Sequence, residues 1–143
     1  MPSALFNTRS KRAEEEKSKQ RAVEILDMMH LADMRYELAE NLPYGRQRML
    51  EIARALASDP KLLLLDEPAA GMNEQETEEL LAIIAMLNDM KYSVLLIEHD
   101  MKFVMNICQH IYVLNHGRKI SEGSPAVVQA DEAVIEAYLG KEV

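Results

Sequence analysis

A chain of 143 residues, 48% of them apolar, has the length and apolar content of one domain able to bury a core. Its net charge of −8, with no basic cluster interleaved with aromatics, gives no electrostatic support for binding a nucleic-acid backbone. No apolar run approaches the ~18 residues that span a bilayer, the N-terminus lacks the apolar core of a secretory signal, and a lone cysteine, Cys108, rules out an intramolecular disulfide.

In chain order, Pro2 to Thr8 carry no periodic signal, and Ser10 to Arg21 are dominated by charge, with Glu15 and Lys19 one helical turn apart. Ala22, Ile25, Leu26 and Met29 then recur at helical spacing, which predicts a helix whose second half docks. A second helix is expected from Tyr44 to about Ser58, with Met49, Ile52, Ala53 and Leu56 on one face and Asp59-Pro60 ending it. The run Leu62 to Leu65 shows no alternation, the pattern of a strand covered on both faces, and Asp66-Glu67 sit at its carboxyl end.

Ala69 to Met72 form a loop, and Asn73 with Glu76 reads as a capping box opening a helix of Leu80, Ile83, Ile84, Leu87 and Met90. A strand over Ser93 to Glu98 follows, closed by His99, so short links between helices and strands predict parallel pairing through right-handed crossovers. A short helix carrying Met101, Val104, Met105 and Cys108 on one face leads to a hairpin, Ile111 to Asn115 and Arg118 to Ser121, turning at His116-Gly117. The apolar neighbours Val104, Met105 and Ile107 make Cys108 a buried structural thiol in a reducing compartment. The hairpin has the look of a sheet edge. Ser124-Pro125 and Asp131 have the form of helix caps, and Gly140 closes the last helix.

Two adjacent carboxylates at the end of a buried strand diverge, so that one can face a metal on a phosphate while the other faces an attacking water. Asp66 suits the magnesium role, directly or through water, and Glu67 is the candidate general base or water-orienting group. His99 ends the neighbouring strand, where an imidazole can donate to a terminal phosphate; alone it reads equally as a capping or surface histidine. The stretch NLPYGRQR, Asn41 to Arg48, runs into a helix whose first N–H groups are able to hold an anion near Gly45; the plainer reading is a loop with Pro43 in the first turn. A phosphate-cradling loop needs Gly, four residues, Gly, Lys, then Ser or Thr, and the five glycines do not supply that spacing.

Asn41 to Arg54, Leu62 to Pro68, Ala69 to Asn73 and Ile97 to Asp100, in that order and spacing, resemble the signature, Walker B, D-loop and switch-histidine segments of the ATP-binding subunit of an ABC transporter. The likeness runs from Asn41 to Gly140, about two-thirds of the chain. LPYGRQRMLEIARAL, LDEPAAGMN, IEHDM and the ending EAYLG are most similar to the branched-chain amino acid uptake branch. The resemblance implies an α/β fold: part of a P-loop NTPase (ABC ATPase) domain with a mostly parallel sheet flanked by helices, an edge β-hairpin and part of the helical subdomain. Residues 1–43 would be a remnant of that subdomain and 44–143 the carboxyl-terminal part of the ATPase core.

By the same resemblance ATP and Mg2+ are the cofactors. Asp66 would hold magnesium through water, Glu67 would activate water, and His99 would sense the γ-phosphate. Leu42, Pro43, Tyr44, Gly45, Arg46 and Gln47, with Asn73 of the D-loop, would build the nucleotide site, Gly45 contacting the ATP of a partner subunit. Partners would be a second ABC ATPase subunit, as homo- or heterodimer, and transmembrane permease subunits. The location would be cytoplasmic, peripheral on the inner membrane's cytoplasmic face, with neither direct membrane insertion nor a nucleic-acid partner.

Departures from the family pattern bear on these expectations. Pro43 stands at the usual signature serine and has neither hydroxyl nor N–H; Tyr44 replaces the first glycine, Arg46 the glutamine, and Asn73 a common D-loop aspartate. In the family the phosphate loop, adenine-stacking aromatic and glutamine loop lie upstream of where this chain begins, so the 143 residues are expected to be inactive alone. One reading is therefore the carboxyl-terminal part of a transport ATPase. A second is a nucleotide-independent module pairing with a full-length ATPase subunit, and a third an α/β domain without activity whose apolar strands favour self-association.

Overall fold

A computed structural model describes residues 9–139; Pro2–Thr8 and Gly140 lie outside them. The chain divides into two compact units, one running through Leu64 and resuming over Ala69–Leu95, the other made of Leu65–Pro68 and the chain from Leu96 onward. In the first unit, helix α1 (Arg9–Met28) is exposed over residues 11–20 and then turns Ile25 into the core, with Met29 just past its end. This follows the switch from charge to 3.6-residue apolar spacing. It packs on α2 (Tyr44–Leu56), which buries Met49, Ile52, Ala53 and Leu56 as their spacing predicts. Two 3-10 turns, Ala32–Met34 and Ala39–Asn41, join them.

Strand β1 (Leu62–Asp66) and strand β2 (Ser93–Ile97) pair in a two-stranded sheet, with helix α3 (Glu74–Asp89) between them in sequence. The expected capping box forms in full: Glu76 N–H donates to Asn73 Oδ1 and Asn73 N–H to Glu76 Oε2, each at 3.0 Å. Helix α3 buries Leu80, Ile83, Ile84 and Leu87. One expectation is corrected. Strand β1 is covered on one face only: Leu63 and Leu65 are buried while Leu62 and Leu64 remain 51% and 65% exposed, and Leu95 and Ile97 of β2 are exposed too. A run of leucines carries no alternation, so it leaves open which face the remaining residues cover.

In the second unit, helix α4 (Met101–Ile107) starts at Asp100, whose carboxylate accepts from Lys102 N and Phe103 N at 2.8 and 3.2 Å. Strands β3 (Ile111–Asn115) and β4 (Arg118–Gly123) form the expected antiparallel hairpin. Its two turn residues, His116 and Gly117, both have positive φ, 48° and 74°, the requirement of a two-residue turn that matches strand twist. Val113 faces Ser121 and Leu114 faces Lys119, so Ile120 is an extra residue in a bulge.

Ile111, Val113, Val128 and Val134 make this unit's buried cluster, with Met101, Val104, Met105 and Cys108 of the expected α4 face packed against it. Burial pushes the half-buried Cys108 thiol up. Phe103, which the spacing did not assign to the core, is among the most deeply buried side chains. Helix α5 (Pro125–Gln129) begins after Ser124 with proline in its first turn, and α6 (Glu132–Val134) begins at Asp131 and continues as a π-helical stretch, Ile135–Leu139. Asp131 accepts from Ser121 Oγ at 2.6 Å and Ala133 N at 2.9 Å, tying the cap to the hairpin. No helix among the described residues is long and apolar enough to cross a membrane.

Candidate functional site

The strand-end residues lie in the second unit. Glu67 N–H donates to Ile97 O at 2.8 Å, continuing the strand pairing one residue past β1. Glu67 itself takes φ +44°, a left-handed backbone conformation that costs a non-glycine residue about 1–3 kcal/mol and persists only where its surroundings impose it. Here the bond to Ile97 on one side and buried Pro68 on the other hold it. The result brings the Glu67 carboxylate 3.5 Å from His99 Nδ1, an ion-pair distance longer than a hydrogen bond.

A third group adjoins them. The Glu98 side chain is 2% exposed, accepts from His99 N–H at 3.3 Å, and lies 3.9 Å from His99 Nδ1. The same imidazole nitrogen thus has an open carboxylate and a covered one nearby, while the ring itself is largely in solvent. Asp66 is exposed at the end of β1. Among the described residues no group of three or more His, Cys, Asp or Glu is gathered as a metal cage. A single carboxylate nonetheless fits magnesium, which retains several waters and draws remaining ligands from phosphate oxygens.

The residues of NLPYGRQR lie in the first unit, and nearly all of them are engaged. Leu42 is buried, and Gln47 Nε2 donates to its carbonyl at 2.8 Å. Pro43 is exposed as the N-cap of α2 and supplies no side-chain cap. Tyr44 lies over Gly71, where an added Cβ would come 2.9 Å from the ring; Gly71 also needs its φ of +77°. Arg48 braces that ring, donating from Nε to the Tyr44 hydroxyl at 2.9 Å and lying 5.3 Å over its face. Hydrogen bonds from Arg48 to Glu51 and to Tyr44 raise the guanidinium pKa further.

Gly45 is buried under the Glu76 carboxylate: a Cβ there would meet Glu76 Oε1 at 2.3 Å. The close approach that glycine permits is made by this chain's own capping residue. Arg46 Nη1 donates to Glu79 Oε1 at 2.8 Å, and His30 Nδ1 donates to the same oxygen at 2.7 Å. Burial raises the Glu79 carboxyl, but hydrogen bonds from Arg46 and His30 outweigh it and leave the pKa below the ordinary value. The part played by Glu79 and His30 escaped the sequence reading. Glu76 and Glu79 fall three apart on one helical face, the only signal available, and nothing in their spacing names Gly45 or Arg46 as the groups they meet.

Residues 2–70 match the family described as ABC transporter, and residues 118–143 match the family described as branched-chain amino acid ATP-binding cassette transporter. The high-affinity branched-chain amino acid transport ATP-binding protein BraF of Pseudomonas aeruginosa is 44% identical over 138 residues, 96% of this chain and 54% of that protein. LivG of Escherichia coli K12, with the same description, is 45% identical over 140 residues, 97% of this chain and 55% of its own length. The crystal structure of the ADP conformation of MJ1267, an ATP-binding cassette of an ABC transporter, matches with a TM-score of 0.79 at 30% identity, over 87% of this chain and 51% of that one. The chain spans about half the length of the curated relatives it matches.

Proposed function

From the premise that this chain belongs to the ATP-binding subunits of ABC transporters, related to those of branched-chain amino acid transporters, we propose that it serves ATP hydrolysis coupled to branched-chain amino acid import. The observation that carries the reading is the approach of Glu67 to His99, with Glu67 held in a left-handed backbone conformation at the end of a strand. Magnesium, when bound, would neutralise phosphate charge beside Asp66. Glu67 accepts the proton of an attacking water or orients it, and His99 donates to the terminal phosphate while Glu67 and Glu98 restrain its ring. Of the segment Leu42–Gln47, the exposed Pro43 and Tyr44, with Asn73, offer a face for a second ATPase subunit, whereas Leu42 and Gly45 are buried within this chain. Transmembrane permease subunits complete the assembly, and the location is the cytoplasmic face of the inner membrane.

The 143 residues contain no phosphate-cradling loop of their own, which argues for inactivity of this chain in isolation. Several charge-assisted hydrogen bonds of ~1.5–3 kcal/mol each, about 6 kcal/mol together, correspond to a more than 10⁴-fold weaker affinity. Calorimetric titration with magnesium ATP, with Asp66→Ala as control, tests this. No saturable binding up to millimolar ATP is expected, and binding that Asp66→Ala abolishes would overturn it.

A second reading is favoured by Pro43, exposed at the start of α2 with no N–H to offer a phosphate. On that reading the chain pairs with a full-length ATPase subunit without contributing a working signature. A pull-down with the full-length Escherichia coli relative that recovers nothing would count against it.

A further inference from the structure

Three consecutive residues at the start of α2 each meet a different residue of one continuous stretch, Gly71 to Glu79. Tyr44 lies on Gly71, Gly45 lies under Glu76, and Arg46 is bound by Glu79. Two of these three contacts are close enough that an added side chain would displace a neighbour: a Cβ at Gly71 would fall 2.9 Å from the Tyr44 ring, and one at Gly45 would fall 2.3 Å from Glu76 Oε1 and push that carboxylate aside. The third is a charge-assisted hydrogen bond, strong and directional.

Glu76 has a double engagement. One carboxylate oxygen accepts from Asn73 N–H and completes the cap of α3, while the other faces Gly45. Displacing this side chain from Gly45 therefore disturbs the cap that sets the loop before α3. Glu79, one turn along, holds Arg46 and is steadied by His30, which follows α1 at φ +55°. Two carboxylates near the N-terminus of α2 also complement its dipole.

We propose that Glu76 and Glu79 are positioning residues that lock Tyr44–Arg46 to Gly71–Asn73, so that the two segments shift together. Under the reading above these are the signature and the D-loop, and a displacement of either one within a subunit is transmitted to the other through the Glu76 side chain. The name positioning residue rests on that reading; the mechanical coupling does not.

Amide hydrogen exchange on the whole 143-residue chain, without nucleotide, tests the coupling. In Gly45→Ala, exchange at Asn73 and Glu76 is expected to accelerate ~10-fold, the scale of one lost hydrogen bond, with Leu80–Leu87 unchanged. Gln47, whose N–H closes the first turn of α2 on Pro43 O, is expected to accelerate with them, because the added methyl and the Glu76 carboxylate compete for one space. Unchanged exchange at Asn73 and Glu76, or equal acceleration along all of α3, would overturn the proposal.

Should Gly45→Ala fail to fold, Glu76→Ala alone gives the reciprocal measurement. Relative to the unaltered chain, a larger rise in exchange at Gln47 than at Ile52–Leu56 supports coupling, and equal or no rise overturns it. Glu76→Gln, which retains a capping group, is expected to leave Gln47 unaltered. Nucleotide takes no part in these measurements, so their failure is distinct from a failure to bind or hydrolyse ATP.

Discussion

Glu67 and His99 approach to 3.5 Å because Glu67 leaves its strand through a left-handed turn while its N–H remains on Ile97. The same backbone turn that brings the carboxylate toward the imidazole is unfavourable for any residue with a Cβ.

Glu67→Gly is accordingly expected to maintain or raise stability, by about 0–1 kcal/mol, because relief of the left-handed strain exceeds or balances the added chain entropy of glycine. Urea unfolding checks it. A loss of more than about 1 kcal/mol would mean that the Glu67 side chain contributes to folding beyond its backbone.

The lowered Glu79 pKa has a definite consequence for acid stability. Its stabilisation is fully present above the unfolded carboxyl value and is lost as pH falls through the folded value, a window below the ordinary 4.5. Glu79→Gln should lower stability by about 1 kcal/mol at neutral pH and flatten the decline of the urea midpoint below ~pH 5. Parallel midpoint curves for the two proteins would contradict this.

Asp131 is held below its ordinary pKa first by the Ser121 hydroxyl and then by the backbone N–H of Ala133. Its contribution to stability is likewise present above the unfolded value and lost as pH falls through the folded one. In Ser121→Ala the carboxyl titration followed by NMR should move upward, toward the ordinary 3.8. An unmoved titration would assign the shift to the α6 cap alone.

The two faces of β1 should respond oppositely. Leu63→Ala removes a buried side chain and should cost about 2–5 kcal/mol, whereas Leu64→Thr, on the exposed face, should change stability by less than about 0.5 kcal/mol. Leu64→Thr should also reduce self-association in sedimentation velocity, since it interrupts the exposed row of Leu62, Leu64 and Leu95. Equal costs at the two positions would show that both faces are covered in solution.

Much of the fold was legible because local rules act over a turn or less. The docking half of α1, the Asn73–Glu76 capping box and the His116-Gly117 turn each depend on residues within four positions of one another. The strand ends carrying Asp66, Glu67 and His99 were marked by where apolar runs stop. The exposed face of β1 and the burial of Phe103 were not legible: a leucine run has no polar face to read, and Phe103 lies outside the apolar spacing of its short helix.

By itself the sequence determined the order of elements, their caps and turns, and the family to which the motifs belong, since each is encoded in near neighbours. Only the tertiary structure decided that Glu79 meets Arg46 and His30, 33 and 49 residues away, and that Glu76 fills the space over Gly45. Such contacts arise when separate helices pack, and packing selects among many carboxylates of identical chemistry by position alone.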